Sequence, residues 1–234
     1  MTVSNNSSNL LNFYSSPIGK KIITGVTGLG LTVFVILHMA GNLILFASPE
    51  AYNQLAHFLN SLGILLQGFE SILLGLVIFH VAIAIAIQFN KQQARPINYN
   101  QFKSAGKPSK QTISSRTMIA TGLVLLVFLV IHLLNFKFGT YYPTVIKGVE
   151  MRDLARLVIE KFHHPAYAFG YIGAILLLGL HLRHGIWSGF QSLGAMNARL
   201  SPVIYAFGLV FAVAIALGFL ILPLAIYFGM YSYS

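Results

Sequence analysis

Long apolar runs separated by short polar stretches organise this chain. Five runs, near residues 22–46, 68–89, 118–138, 167–190 and 203–228, approach or exceed the roughly 20 residues a helix needs to cross a hydrocarbon core. The pattern predicts an all-α integral membrane protein, a bundle of five transmembrane helices forming one domain, with no visible internal repeat. Between the third and fourth runs, EMRDLARLVIEKF (residues 150–162) places Leu154, Leu157, Val158 and Phe162 at helical spacing. This predicts a short amphipathic helix lying on the outer membrane surface. Residues 90–116, NKQQARPINYNQFKSAGKPSKQTISSR, form the longest polar connection, suited to anionic lipid headgroups or a protein partner.

Composition agrees: 56% of the 234 residues are hydrophobic and 9% charged, against about 25% charged in soluble domains. The net charge of +10 is uneven. One set of alternate connections holds Lys20, Lys21, Lys91, Arg95, Lys103, Lys107, Lys110, Arg116, Arg183 and Arg199 and no acid. The other set holds Lys137, Lys147, Arg152, Arg156 and Lys161 with all five acids. The positive-inside rule then predicts a cytoplasmic N-terminus and a C-terminus outside. It also explains the basic balance without a nucleic-acid partner. The first 19 residues, polar and uncharged, lack the tripartite pattern of a cleaved signal peptide. The absence of cysteine excludes disulfides, thiolate metal sites and thioether-linked haem. A redox cofactor would need histidine, methionine or tyrosine.

Four runs carry a histidine in their body: His38, His80, His132 and His181. Ionisable groups at such depth are rare and by default functional. At a helical rise of about 1.5 Å per residue from the cytoplasmic span ends, His38 and His132 lie about 25 and 24 Å up, His80 and His181 about 16 and 15 Å. Two facing pairs about 9 Å apart in depth follow. Counted from Pro165 instead, His181 falls about 24 Å down, so the match depends on where span IV enters the membrane. Paired imidazoles suit axial coordination of haem iron in a helix-bundle core. Gly41 and Gly185, near His38 and His181, would clear space for a flat macrocycle. The competing role, an interhelical hydrogen bond, suits a single histidine better than four pairing at two depths. His57, His163 and His164 read as interfacial or surface residues.

Two further groups of polar residues stand out. Glu70, inside ILLQGFESILLG, would sit at the outer boundary, as a proton-transfer group beside a quinone or as a plain interfacial carboxylate. Arg183, His184, Trp187, Ser188 and Gln191, with Lys20 and Lys21, gather at the cytoplasmic end. They are candidate contacts for haem propionates or quinone oxygens, or ordinary membrane anchors. Gly25, Gly28 and Gly30 suggest close helix packing.

Two motifs carry a family resemblance. Gly19-Lys20-Lys21, Thr27-Gly28, Phe34, His38 and Gly41-Asn42-Leu43 form the first; His181-Leu182, His184-Gly185, Ser188, Phe190-Gln191 and Leu193-Gly194 form the second. With them the chain resembles, over nearly its whole length, the five-span dihaem cytochrome b anchor of bacterial succinate dehydrogenases and fumarate reductases. The resemblance implies axial ligation of two haems b, His38 with His132 (outer) and His80 with His181 (inner). It also implies flavoprotein and iron–sulfur subunits on the cytoplasmic side, quinone, commonly menaquinone, as membrane substrate, and a place in the bacterial cytoplasmic membrane. Succinate–fumarate chemistry would then belong to the partners. Some proton-coupled fumarate reductases of this family carry a glutamate where this chain has Gly179, which leans toward succinate oxidation. Alternatives are the cytochrome b anchor of a hydrogenase or formate dehydrogenase, and a haem-free transporter relaying protons through histidines.

Overall fold

A computed structural model describes residues 12–94 and 113–231. Most of the long basic connection, with Arg95, Lys103, Lys107 and Lys110, lies outside the described residues. Among those described, five helices are long and apolar enough to cross a membrane, so the chain has the character of a multi-pass membrane protein. They are α1 (Pro17–Leu43), α3 (Ile64–Gln93), α5 (Met118–His132, continued by a π turn, Leu133–Lys137), α7 (Pro165–Ser192) and α8 (Leu200–Tyr227). The starts follow local chemistry. Ser16 caps α1 by accepting from Gly19 N at 2.9 Å, and proline opens both α1 and α7, where its missing N–H costs nothing. A short turn, α4 (Ile113–Arg116), precedes α5.

The helices that carry the four histidines close into a ring in the order α1, α3, α5, α7, and α8 packs outside it on α7 and α1. Contact between α7 and α8 rests on small residues. A Cβ at Gly179 would come 3.2 Å from Ala216 Cβ, and one at Gly208 would come 3.5 Å from the Arg183 carbonyl oxygen. Without a hydrophobic drive between lipid-exposed helices, such close backbone approach supplies the packing. By contrast α3 has no buried residue and α5 only Thr121, so the ring is hollow.

One end of the ring is capped by elements between the spans. Helix α2 (Pro49–Ser61), which the apolar pattern does not announce, follows α1. The hairpin β1 (Pro143–Ile146) and β2 (Val149–Arg152) and the helix α6 (Leu154–His163) follow α5. The expected amphipathic helix over 150–162 is therefore shorter. Glu150–Arg152 pair with β1 through the two-residue turn Lys147-Gly148, both at positive φ (51° and 78°), the backbone that matches strand twist in tight hairpins. Asp153 then caps α6, accepting from Arg156 N at 3.0 Å. The apolar face of α6 is also not spread on a membrane surface. Leu157, Val158, Ile159 and Phe162 are buried, three of them in one core with Leu45, Tyr171 and Ile226. Asn53 of α2 locks the cap, donating to Asp153 Oδ1 and accepting from Ala155 N, both at 2.9 Å.

The structure also exposes a repeat that the apolar pattern conceals. Aligning residues 27–38 of α1 with 121–132 of α5 matches Thr, Gly, Leu, Leu, Val, Phe and His, seven of twelve positions. The two matching segments lie on α1 and α5, which stand diagonally across the ring.

Candidate functional site

The interior of the ring is a cavity of about 2910 Å³ that all four histidines line. It is several-fold larger than the roughly 300–1,000 Å³ of pockets for drug-sized ligands. His38 of α1 faces His132 of α5, ring centroids 5.6 Å apart and planes at 90°. His80 of α3 faces His181 of α7 at 6.4 Å and 69°. Both pairs are diagonal, so each joins helices that are not neighbours. Two axial imidazoles on one first-row metal ion would stand about 6 Å apart, from metal–nitrogen bonds of ~2 Å and ~1.1 Å from nitrogen to ring centre. Among the described residues there is no cluster of three or more His, Cys, Asp or Glu that could hold a metal ion.

The two tiers have different surroundings. Near the Lys21 end, Thr27 Oγ1 lies 3.2 Å from His80 Nδ1, and Thr121 Oγ1 lies 3.1 Å from His181 Nδ1. Each threonine hydroxyl also has a backbone acceptor in its own helix: the Ile23 carbonyl at 2.7 Å for Thr27, the Thr117 carbonyl at 3.0 Å for Thr121. With the hydroxyl proton given to the backbone, the oxygen accepts from the ring, which corresponds to the tautomer with the proton on Nδ1 and the lone pair on Nε2. Adjacent glycines allow the approach, since a Cβ at Gly28 would lie 3.0 Å from His80 Cε1 and one at Gly122 would lie 3.3 Å from His181 Cε1.

The tier near the cap is aromatic. His38 stacks on Phe34 at 5.4 Å and meets Phe219 at 6.0 Å. His132 is flanked by Phe128, Phe136 and Tyr171, with Tyr171 Oη 3.4 Å from its Nδ1. The π turn begins directly after His132, an irregularity common at functional sites. Asn42 ties the His38 helix to the cap: its amide donates to the His38 carbonyl at 2.8 Å, and its oxygen accepts from Tyr52 Oη at 3.1 Å. Burial pushes the Tyr52 phenol well above its usual range, which keeps it a donor.

Along α1, Gly28 beside the His80 ring and His38 are ten residues apart, about 15 Å of helix. Gly122 and His132 repeat that spacing in α5.

Of the polar residues singled out at the Lys21 end, His184, Ser188 and Gln191 line the cavity. Arg183 turns outward to α8, where it donates to Tyr205 Oη at 3.2 Å. Lys20 and Trp187 are absent from the lining, and Lys21, Lys91 and Arg116 are present. Helix phase separates Arg183 from His184: one residue is 100° of rotation. At the cap end, Glu70 lines the cavity and pairs with Lys137 on the π turn, both side chains about 40% exposed. Gly185 faces open cavity, whereas Gly41 faces Leu55 of α2. Gly25 packs α1 on Ser192 and Gly189 of α7. His57 lines the cavity from α2, and His163 and His164 are exposed. Thr121, Gly122 and Tyr171 escaped the sequence reading. The Thr-Gly pair repeated ten residues before a histidine was the available signal.

Comparison with protein-family models, with curated proteins and with solved structures found no match.

Proposed function

We propose that this chain is the dihaem cytochrome b anchor of a succinate:quinone oxidoreductase in the bacterial cytoplasmic membrane. In this reading, electrons pass between an iron–sulfur partner subunit, with its flavoprotein, and a membrane quinone, commonly menaquinone. Haem b supplies reversible one-electron chemistry when bound. The observation that carries the reading is the pair of diagonal imidazole pairs, 5.6 and 6.4 Å across, inside one hollow ring. The interior is too large to be an ordinary packing void and is lined mostly by apolar side chains, as a porphyrin face requires. With Nδ1 donating to the threonine hydroxyl, His80 and His181 would offer unprotonated Nε2 atoms, the form in which imidazole binds iron.

This chain's other residues take supporting parts. Lys21, Ser188 and Gln191 stand in the lining near the His80–His181 tier, where their donors can hold propionate carboxylates. Glu70, next to Lys137 at the mouth near the other tier, is placed to exchange a proton between quinone and water. Succinate–fumarate chemistry stays with the partners. The basic end, with Lys21, Lys91 and Arg116, would face the cytoplasm and receive them.

The deciding experiment is a dithionite-reduced spectrum of the purified complex with haem quantified per chain. Two b-type haems and a co-purifying flavoprotein that oxidises succinate are expected. No b-type absorption would end the haem reading in favour of proton relay. Two haems with a hydrogenase or formate dehydrogenase partner would end the assignment to succinate.

A further inference from the structure

Thr27 and Thr121 occupy the same position in the two repeats, eleven residues before His38 and His132. Yet neither touches the histidine of its own helix. Each bonds the ring on the next helix of the circle, Thr27 that of His80 and Thr121 that of His181. Both hydroxyls have backbone acceptors in their own helix, the His80 ring also bonds the Thr24 backbone, and both threonines are buried (6% and 4% exposed). Each is followed by a glycine against which the same ring rests. The unit Thr-Gly therefore recurs at both ends of one imidazole pair. The other pair has aromatic neighbours and a longer phenol contact.

We propose that Thr27 and Thr121 are positioning residues that set the electronic character of one haem only, the one held by His80 and His181. The proposal rests on the haem reading above. A hydroxyl accepting from Nδ1–H locks tautomer and ring plane and leaves Nε2 more electron-rich, as outer-sphere acceptors do for metal-bound histidine. An electron-rich pair of axial nitrogens favours ferric over ferrous iron, so this haem is held at the lower potential its ligand set permits. The glycines are part of the device, because a Cβ at 28 or 122 would crowd the ring, at 3.0 and 3.3 Å from Cε1 of His80 and His181.

The test is a redox titration of the assembled complex, following b-type absorption and the electron paramagnetic resonance of the oxidised haems. It compares wild type with Thr27→Val, Thr121→Val and Thr27→Ser. Both valine variants are expected to raise the midpoint potential of the same one haem and shift its low-field resonance, leaving the other haem unchanged. Thr27→Ser, which keeps the acceptor, should titrate like wild type. Unchanged potentials in both valine variants overturn the proposal, as does a shift of different haems by the two. Should Thr27→Val empty that tier, Thr27→Ser decides: a wild-type potential supports the hydroxyl's role, and an altered one overturns it. Wild-type protein without b-type haem would instead remove the haem reading itself.

Discussion

At the scale of single residues, the site depends on what lies behind each imidazole as much as on the imidazole. If the two imidazole pairs hold haem as proposed, replacing His181 or His132 by Ala should each remove one haem of two and spare the other, read as half the b-type absorption per chain. Loss of both haems from one substitution, or of neither, would break the assignment of independent pairs. Gly28→Val goes further than a cavity-facing change should, because its Cβ starts 3.0 Å from the His80 ring. The expected result is loss or gross perturbation of the haem at the His80 tier with the His38 tier intact. Gly185→Ala, whose new methyl would meet no other side chain and no other helix within 4 Å, tests the cavity instead. If the space holds a macrocycle, haem content falls; if it stays open, the methyl is harmless.

At the scale of elements, the cap is where local chemistry matters most. Asp153 is 4% exposed and serves both the α6 N-terminus and the Asn53 amide. Asp153→Ala should cost about 2 kcal/mol, since it removes a cap and strands a buried donor. A thermal melt in detergent should register the loss, and an unchanged melting temperature would mean the cap is not coupled to the bundle. Tyr52→Phe, which forfeits one neutral hydrogen bond to Asn42, should cost about 1 kcal/mol. Glu70 and Lys137 join α3 to the π turn, but at about 40% exposure each the pair contributes on the order of 0–1 kcal/mol. Glu70→Gln is therefore expected to leave the melt nearly unchanged while slowing quinone turnover. A large drop in melting temperature with normal turnover would make the pair structural.

For the whole molecule, the contrast between hollow and solid regions predicts its behaviour without a filling group. α7 and α8 bury seven residues each, and α3 buries none. A ligand that binds only the folded ring stabilises it by mass action, and poorly packed elements open first. Hydrogen exchange on protein made under haem starvation should show α3 and α5 exchanging fast and α7–α8 remaining protected. Haem loading should slow α3 and α5 most. Equal protection of all five helices in both states would mean that the ring supports itself.

Five spans were legible from chain pattern alone because lipid demands long apolar helices whatever their neighbours, and their ends were misjudged only by a few residues. The pairing of the histidines was also legible, since their approximate depths follow from helical rise. Three things belonged to the tertiary structure. The hairpin and the inward-packed face of α6 depend on a partner surface, and an amphipathic stripe does not reveal whether lipid or protein covers it. Arg183 and His184 differ by one residue, and only the packing of α8 on α7 decides which of them faces the cavity. The threonine behind each lower histidine comes from the preceding span, so its role exists only once two helices lie side by side. Sequence spacing determined which residues share a helix and a depth; the arrangement of helices around the ring decided which of them meet, because contact across helices is a property of packing and not of any one segment.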